Sequence, residues 1–223
     1  MNRMFRVVCV HPTYIVALLL IAAPASRAAV FERDWKTPGD GLLTYDDVNQ
    51  REWLDIPESV LSQFPGTNLE ERYQAAYAET SPGGMFEGFT PADANDVVAL
   101  AQSAGIDTGT TDFATNHASA QRLIELLGPT DVFPPSGLAL TRGSLDELDP
   151  DCNCRLIANI AVGPSGAGLN FFSVAEYGDD RPAEITGVFL YRASIPEPST
   201  IFLATCSLLG VLAARILHRT TSD

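Results

Sequence analysis

Arg155-Leu156-Ile157-Ala158-Asn159-Ile160-Ala161-Val162 decides the class of fold. It is short, nearly continuous in apolar side chains and rich in β-branched ones, and it ends at the turn cluster Gly163-Pro164-Ser165-Gly166-Ala167-Gly168, so it reads as a strand. Leu138-Ala139-Leu140 before it, and Leu169–Tyr177 and Ile185–Arg192 after it, share this character, with Gly178–Pro182 as a second turn. Pro134-Pro135 opens this β-rich half. Upstream the pattern differs. A hairpin is expected from Leu42–Tyr45 and Arg51–Leu54, joined through Asp46-Asp47 and Asn49. Three helices follow. Asn68 caps one over 69–79, with Leu69, Tyr73, Ala76 and Tyr77 on one face, and Thr90 caps a second that runs to about Ala104. Ala118–Leu127 is the third, after a Thr/Asp-rich loop over 107–117. Hairpin, then helices, then strands is an α+β order.

Composition narrows the function. The chain has 223 residues and a formal net charge of −14, and its 46% hydrophobic content is too high for a wholly disordered chain. Residues 29–194 hold 26 Asp/Glu against nine Lys/Arg, a balance of −17 that repels phosphate backbones and argues against nucleic acid as a partner.

The two ends state a destination. Arg3 and Arg6 precede the ten apolar residues Tyr14–Ala23, Pro24 breaks the helix, and Ser26-Arg27-Ala28 places small residues for a cut after Ala28. This is the layout of a secretory signal peptide over 1–28, a substrate for signal peptidase. At the other end, the apolar run Ile201–Leu217 is long enough for one membrane pass if Arg215 snorkels to the headgroups. Arg215, His218 and Arg219 form a basic end that stays cytoplasmic, so the exported domain 29–194 lies outside.

Between domain and span stands Ile195-Pro196-Glu197-Pro198-Ser199-Thr200. The motif Pro196-Glu197-Pro198 with Ser199 and Thr200, the span 201–217 and the basic end together resemble the bacterial PEP-CTERM sorting signal, which would occupy 195–223. That resemblance implies processing by an exosortase, a membrane-embedded transpeptidase. It would carry the chain from a single-pass inner-membrane precursor to the cell surface or extracellular matrix. Asp40–Asp46 with Glu52-Trp53-Leu54-Asp55, Gly83–Phe89 with the helix after it, and Gly187-Val188-Phe189-Leu190-Tyr191-Arg192 are similar to the exported domain of such proteins, which implies a C-type-lectin-like fold. Phe89 and Thr90 depart from that pattern, which has tryptophan and arginine there.

Chemistry in the middle is sparse. The exported part holds one histidine, His117, too few for a nucleophile–base arrangement that uses it. Its many carboxylates would supply a glycosidase-like pair by abundance alone. Gly163–Gly168 lacks the following helix of a phosphate loop. No cofactor is expected, with calcium as the one to weigh: Asp146, Asp149, Asp151 and Asn153 crowd one loop, and Asp149-x-Asp151-x-Asn153 copies the first ligand positions of an EF-hand. Cys154 then replaces the turn glycine and Ile160 the bidentate Glu, so a solvated acidic loop is the other reading. With Cys9 in the signal peptide and Cys206 in the span, Cys152 and Cys154 are the exported cysteines, either a local staple or a free thiol pair. Trp35, Trp53, Tyr45, Phe86 and Phe89 would make a sugar-stacking platform if exposed and part of the core if not.

The expectation is a non-enzymatic exported surface or matrix protein of structural or adhesive role, with exopolysaccharide as candidate partner. The alternatives are a secreted glycan hydrolase using a carboxylate pair and a ligand-free single-pass envelope protein.

Overall fold

The computed structural model describes residues 30–133, 137–173 and 183–194. The expected signal peptide, the expected sorting motif 196–200, the expected span 201–217 and the basic residues Arg215, His218 and Arg219 lie outside them. Among the described residues no helix is long and apolar enough to cross a membrane.

The architecture is α+β, with two sheets and three α-helices among the described residues. The first sheet contains β1 (Val30–Arg33), β2 (Leu43–Asp46), β3 (Arg51–Leu54), β10 (Leu190–Ala193) and β4 (Thr90–Pro91), in that spatial order and antiparallel throughout. The second runs β5 (Asp131–Phe133), β6 (Leu138–Asp149), β7 (Cys154–Gly163) and β8 (Gly166–Ser173), with β9 (Gly187–Val188) added parallel to β6. The helices α1 (Leu69–Ala78), α2 (Ala94–Ser103) and α3 (Phe113–Leu127) pack on these sheets.

The expected hairpin forms, with Leu43 opposite Leu54 and Tyr45 opposite Glu52. Asn68 caps α1 by accepting a hydrogen bond from the Glu71 amide. Other boundaries move. Thr90 does not cap α2: Thr90–Pro91 pair with β10 as a two-residue edge strand, where proline's missing N–H costs nothing. Asp93 caps instead, in a reciprocal box with Asp96. α3 starts at Phe113 rather than Ala118, because Asp112 accepts from the amide and hydroxyl of Thr115. Asn116, buried on its first turns, then binds Asp107 and the Thr110 carbonyl and ties down the polar loop before it. β6 continues nine residues beyond Leu140, through a register shift between Ser144 and Leu148. The turn expected over Gly163–Gly168 shrinks to Pro164-Ser165. Residues 174–177 of the expected third strand lie outside the described residues.

The largest departure concerns Ile185–Arg192, expected as one strand. It is two. Val188 belongs to the second sheet and Leu190 to the first, and Phe189 between them is fully buried. Extended backbone points alternate side chains to opposite sides. Val188 and Leu190 therefore enter a core with Leu43, Leu54, Leu61, Tyr73, Phe86 and Ile157. Phe189 enters another, with Trp53, Val97, Leu100, Leu123, Leu127 and Ile160. Backbone bonds hold the segment from every side: Leu61 N to Thr186 O at 2.9 Å, Phe189 N to Ser144 O at 3.2 Å, Ala92 N to Phe189 O at 2.8 Å and Ser194 N to Gln50 O at 2.9 Å. The Ser59 hydroxyl accepts from Val188 N and lies 2.9 Å from Val188 O. Two glycines make room for it. A Cβ on Gly143 would stand 2.6 Å from the Phe189 ring, and one on Gly187 would meet the Ile56 carbonyl.

Truncating Phe189 opens a cavity where the sheets join, so Phe189→Ala is expected to cost about 3–5 kcal/mol. Urea unfolding followed by far-UV circular dichroism and by tryptophan emission checks this. Because the segment belongs to both cores, the two probes should give one coincident transition in the parent chain.

Candidate functional site

The acidic stretch weighed as a calcium loop is the end of β6 and the turn after it. Asp149 pairs with Cys154 in the β6–β7 ladder, the Asp151 amide donates to Asp149 Oδ1 at 2.9 Å, and Asn153 takes left-handed backbone at φ 53° with its amide on Asp149 O. This is a tight hairpin turn closed by the Cys152–Cys154 disulfide, with Cα atoms 5.2 Å apart. Asp146 is turned elsewhere, accepting from the Tyr73 hydroxyl at 3.1 Å and lying 3.7 Å from Arg155 Nη1. The structure thus separates Asp146 from Asp149, Asp151 and Asn153. Among the described residues no three His, Cys, Asp or Glu side chains group closely enough to hold a metal ion.

Of the five aromatics, Trp53, Tyr45, Phe86 and Phe89 are buried. Trp35 is half-buried, one face against Phe86 and Phe89 and the Lys36 ammonium 3.5 Å from its ring centre. His117 lies on α3 rather than in a loop, exposed, with the Phe113 ring 4.4 Å away.

Among the described residues two open concavities stand out. One, of about 210 Å³, sits at the glycine-rich β7–β8 hairpin and is lined by Thr111, Leu138, Ala161, Ser165 and Asn170 with backbone of the glycines. The other, of about 260 Å³, lies between the β2–β3 turn and α2, lined by Val48, Asn49, Ala99, Gln102 and Ser103. Both fall below the about 300 Å³ at which drug-sized ligands are usually enclosed. Neither is lined by a titratable side chain. Their hydroxyls, amides and bare backbone can hydrogen-bond a small polyhydroxylated ligand, but they offer no acid or base at a bond to be cut.

Three charged groupings escaped the sequence reading. Arg155, 6% exposed, forks onto Glu70 (Nε–Oε2 2.9 Å, Nη2–Oε1 2.5 Å), donates to the Leu145 carbonyl and lies 3.8 Å from the Tyr73 ring centre. Burial would raise the Glu70 carboxyl, but the hydrogen bonds from Arg155 hold it below its usual range; burial and the Asp146 charge push the Tyr73 phenol up. Glu52 binds both Arg33 (3.0 Å) and Arg192 (2.8 Å). The third grouping surrounds Asp55. Asp40 folds the turn before β2, and although desolvation would raise it, the amides of Thr37, Trp35, Lys36 and Leu42 hold its carboxyl well below the ordinary range. Asp55 has no such donors: it stands before the 3₁₀ turn Ile56–Ser59 without capping it, and its buried Oδ1 has no hydrogen-bond partner. Burial first, then the charges of Glu58, Glu32 and Asp40, push its carboxyl up to about 7. No sequence pattern marks Asp55, because its partners come from β1, the turn before β2 and its own 3₁₀ turn.

Comparison with family models, with curated proteins and with solved structures finds no match to this chain.

Because the folded Asp55 carboxyl lies above its unfolded value, its contribution favours the native state at low pH and is lost as pH rises through about 7. Asp55→Asn mimics the protonated group. The variant should match the parent near about pH 4 and exceed it by a growing margin towards about pH 8, measured as the difference in urea midpoint.

Proposed function

We propose that this chain is an exported bacterial surface or matrix protein, delivered by a PEP-CTERM-type tail and acting without catalysis in a structural or adhesive role. The observation that carries the reading is the order of parts at the C-terminal end: Pro196-Glu197-Pro198, the apolar run 201–217, then Arg215, His218 and Arg219, on a chain that begins with an export signal. A lone Pro-Glu-Pro would be only a stiff linker. In this order each part supplies a step: recognition, membrane arrest, and retention of the basic end inside.

The domain suits display. The chain leaves it at Ser194, directly after β10, which is paired on both sides with β3 and β4. The two concavities present hydroxyl, amide and backbone groups, a chemistry that matches the hydroxyls of exopolysaccharide. The carboxylate-pair hydrolase draws no support from either. The C-type-lectin-like assignment belongs to this proposal and rests on the Asp40–Asp55, Gly83–Phe89 and Gly187–Arg192 motifs, with the strand of the last motif lying beside that of the first.

Intact mass of the protein released from the surface of a host with an exosortase tests the proposal. The expected species starts at Ala29 and lacks residues beyond about Pro198–Thr200. A released chain that retains Asp223 would leave an ordinary single-pass anchor in place of a sorting signal.

A further inference from the structure

The second sheet gathers amide and small side chains on one face. Ile160 and Val162 of β7 and Ala167 and Leu169 of β8 pack into the core that holds Leu123 and Leu127 of α3. Extended backbone alternates, so Asn159, Ala161 and Gly163 with Gly166, Gly168 and Asn170 lie on the opposite side. The register arranges them in rows. Arg142, Asn159 and Asn170 stand side by side across β6, β7 and β8, and Leu140, Ala161 and Gly168 form the next row. Beyond it Gly163 pairs with Gly166, and a Cβ on Gly163 would stand 3.1 Å from Leu138 Cδ1. The concavity of about 210 Å³ lies over this end of the face. Leu138 lines it from β6, Ser165 from the β7–β8 turn, and Thr111 from beside β8, where its carbonyl accepts from Ala167 N.

One polar atom on this face has no partner. Asn159 is 8% exposed, and its buried Oδ1 accepts no hydrogen bond within the protein. Its neighbours along and across the strands, Ala161 and Asn170, both line the concavity, so the amide projects on the same face at the inner rim. Arg142, on the other side of Asn159 in the row, lies over the Phe172 ring, 5.2 Å from its centre. A buried acceptor without a donor works against folding unless a bound group supplies one. The residues beside it leave the backbone open. Glycine at 163, 166 and 168 and alanine at 161 let a flat ring approach the sheet more closely than β-branched side chains would.

We infer that this concavity holds one ring of a neutral sugar, a hexopyranose unit of a polysaccharide. The inference rests on the adhesive reading above and gives that reading a site. A sugar hydroxyl donates to Asn159 Oδ1, and a neighbouring hydroxyl meets the Asn170 amide, which both donates and accepts. The Thr111 and Ser165 hydroxyls serve the outer side of the ring. The volume takes a single ring, and the open rim lets the polymer continue outside. Charge selects the neutral class. The lining carries no titratable group to pair with a uronate, and residues 29–194, at −17, repel an acidic polymer.

The test uses the full chain in phosphatidylcholine nanodiscs and saturation-transfer NMR of added sugars. The probes are the methyl glycosides of glucose, galactose and mannose, then dextran as a neutral polymer and alginate as a polyuronate. At least one glycoside should bind with a dissociation constant of about 1 mM, the range open to so small a ligand. Asn170→Ala should weaken it about ten-fold, the effect of one lost hydrogen bond. Ala161→Leu, which fills the floor, should abolish it. Asn159→Leu should abolish it too while leaving the urea midpoint equal to the parent's or higher, whereas an amide kept for the fold would lower that midpoint. Asn170 is exposed, so its variant carries the test if Asn159→Leu fails to fold. Dextran binding that survives Ala161→Leu and Asn170→Ala overturns the site and leaves the adhesive reading in place. A response to alginate alone overturns the neutral class. No signal from any glycoside or from dextran overturns the inference, while the sorting claim stands or falls separately on the intact mass.

Discussion

Phe189 sits where two sheets and two cores meet, and most of the fold depends on how its segment is held. A strand is ordinarily bonded within one sheet. Here the backbone passes from a parallel pairing with β6 to antiparallel pairings with β3 and β4 within three residues. The side-chain alternation of extended chain then sends neighbours into different cores, so the segment is a shared wall. Neither core can loosen without disturbing the other. Gly143 and Gly187 follow from the same constraint, because the Phe189 ring and the Ile56 carbonyl occupy the places their side chains would take.

Arg155 shows how an acidic chain tolerates a buried cation. Removing a charge from water costs several kcal/mol unless the site supplies a partner and satisfies the remaining donors. Glu70 takes two of them, the Leu145 carbonyl a third, and the Tyr73 ring covers one face. The pair fastens α1 to the start of β7, across 85 residues of sequence. Asp55 is the opposite case. Its neighbours are acids rather than a base, so it relieves the cost by holding its proton. One burial problem therefore has two outcomes, decided by which charges the fold brings near.

Legibility in the sequence followed the range of the forces. The β2–β3 hairpin, the Asn68 cap and the strand over 155–162 are set by residues close in sequence, and all three form. The start of α3 was missed because Asp112-Phe113-Ala114-Thr115 is hidden in a Thr/Asp-rich stretch, although Asp112 with Thr115 is a capping signal available beforehand. The division of Ile185–Arg192 was not readable. Its eight residues suit a single strand, and only β6 on one side and β3 on the other divide them. The charged groupings were unreadable for the same reason, since Glu52 lies 19 residues from Arg33 and 140 from Arg192. Aromatics that sequence left open between platform and core are mostly core, with Trp35 at the margin.

The position of the exit bears on the proposed anchored form. Any pull transmitted through the tail enters the domain at Ser194 and acts first on β10. β10 is held by β3 along Tyr191–Ala193 and, deeper in, by β4 as well at Leu190 and Tyr191. Just upstream, the same segment is clamped by β6, by the Ser59 hydroxyl and by the Leu61 and Ser62 amides. Extracting it would break bonds to both sheets and draw Phe189 out of a closed core, so local fraying at the attachment end is coupled to global unfolding. A tether on such a segment would keep the domain folded under loads that peel away a terminal strand bonded within one sheet. In the proposed anchored form the tether would follow a segment that binds both sheets together.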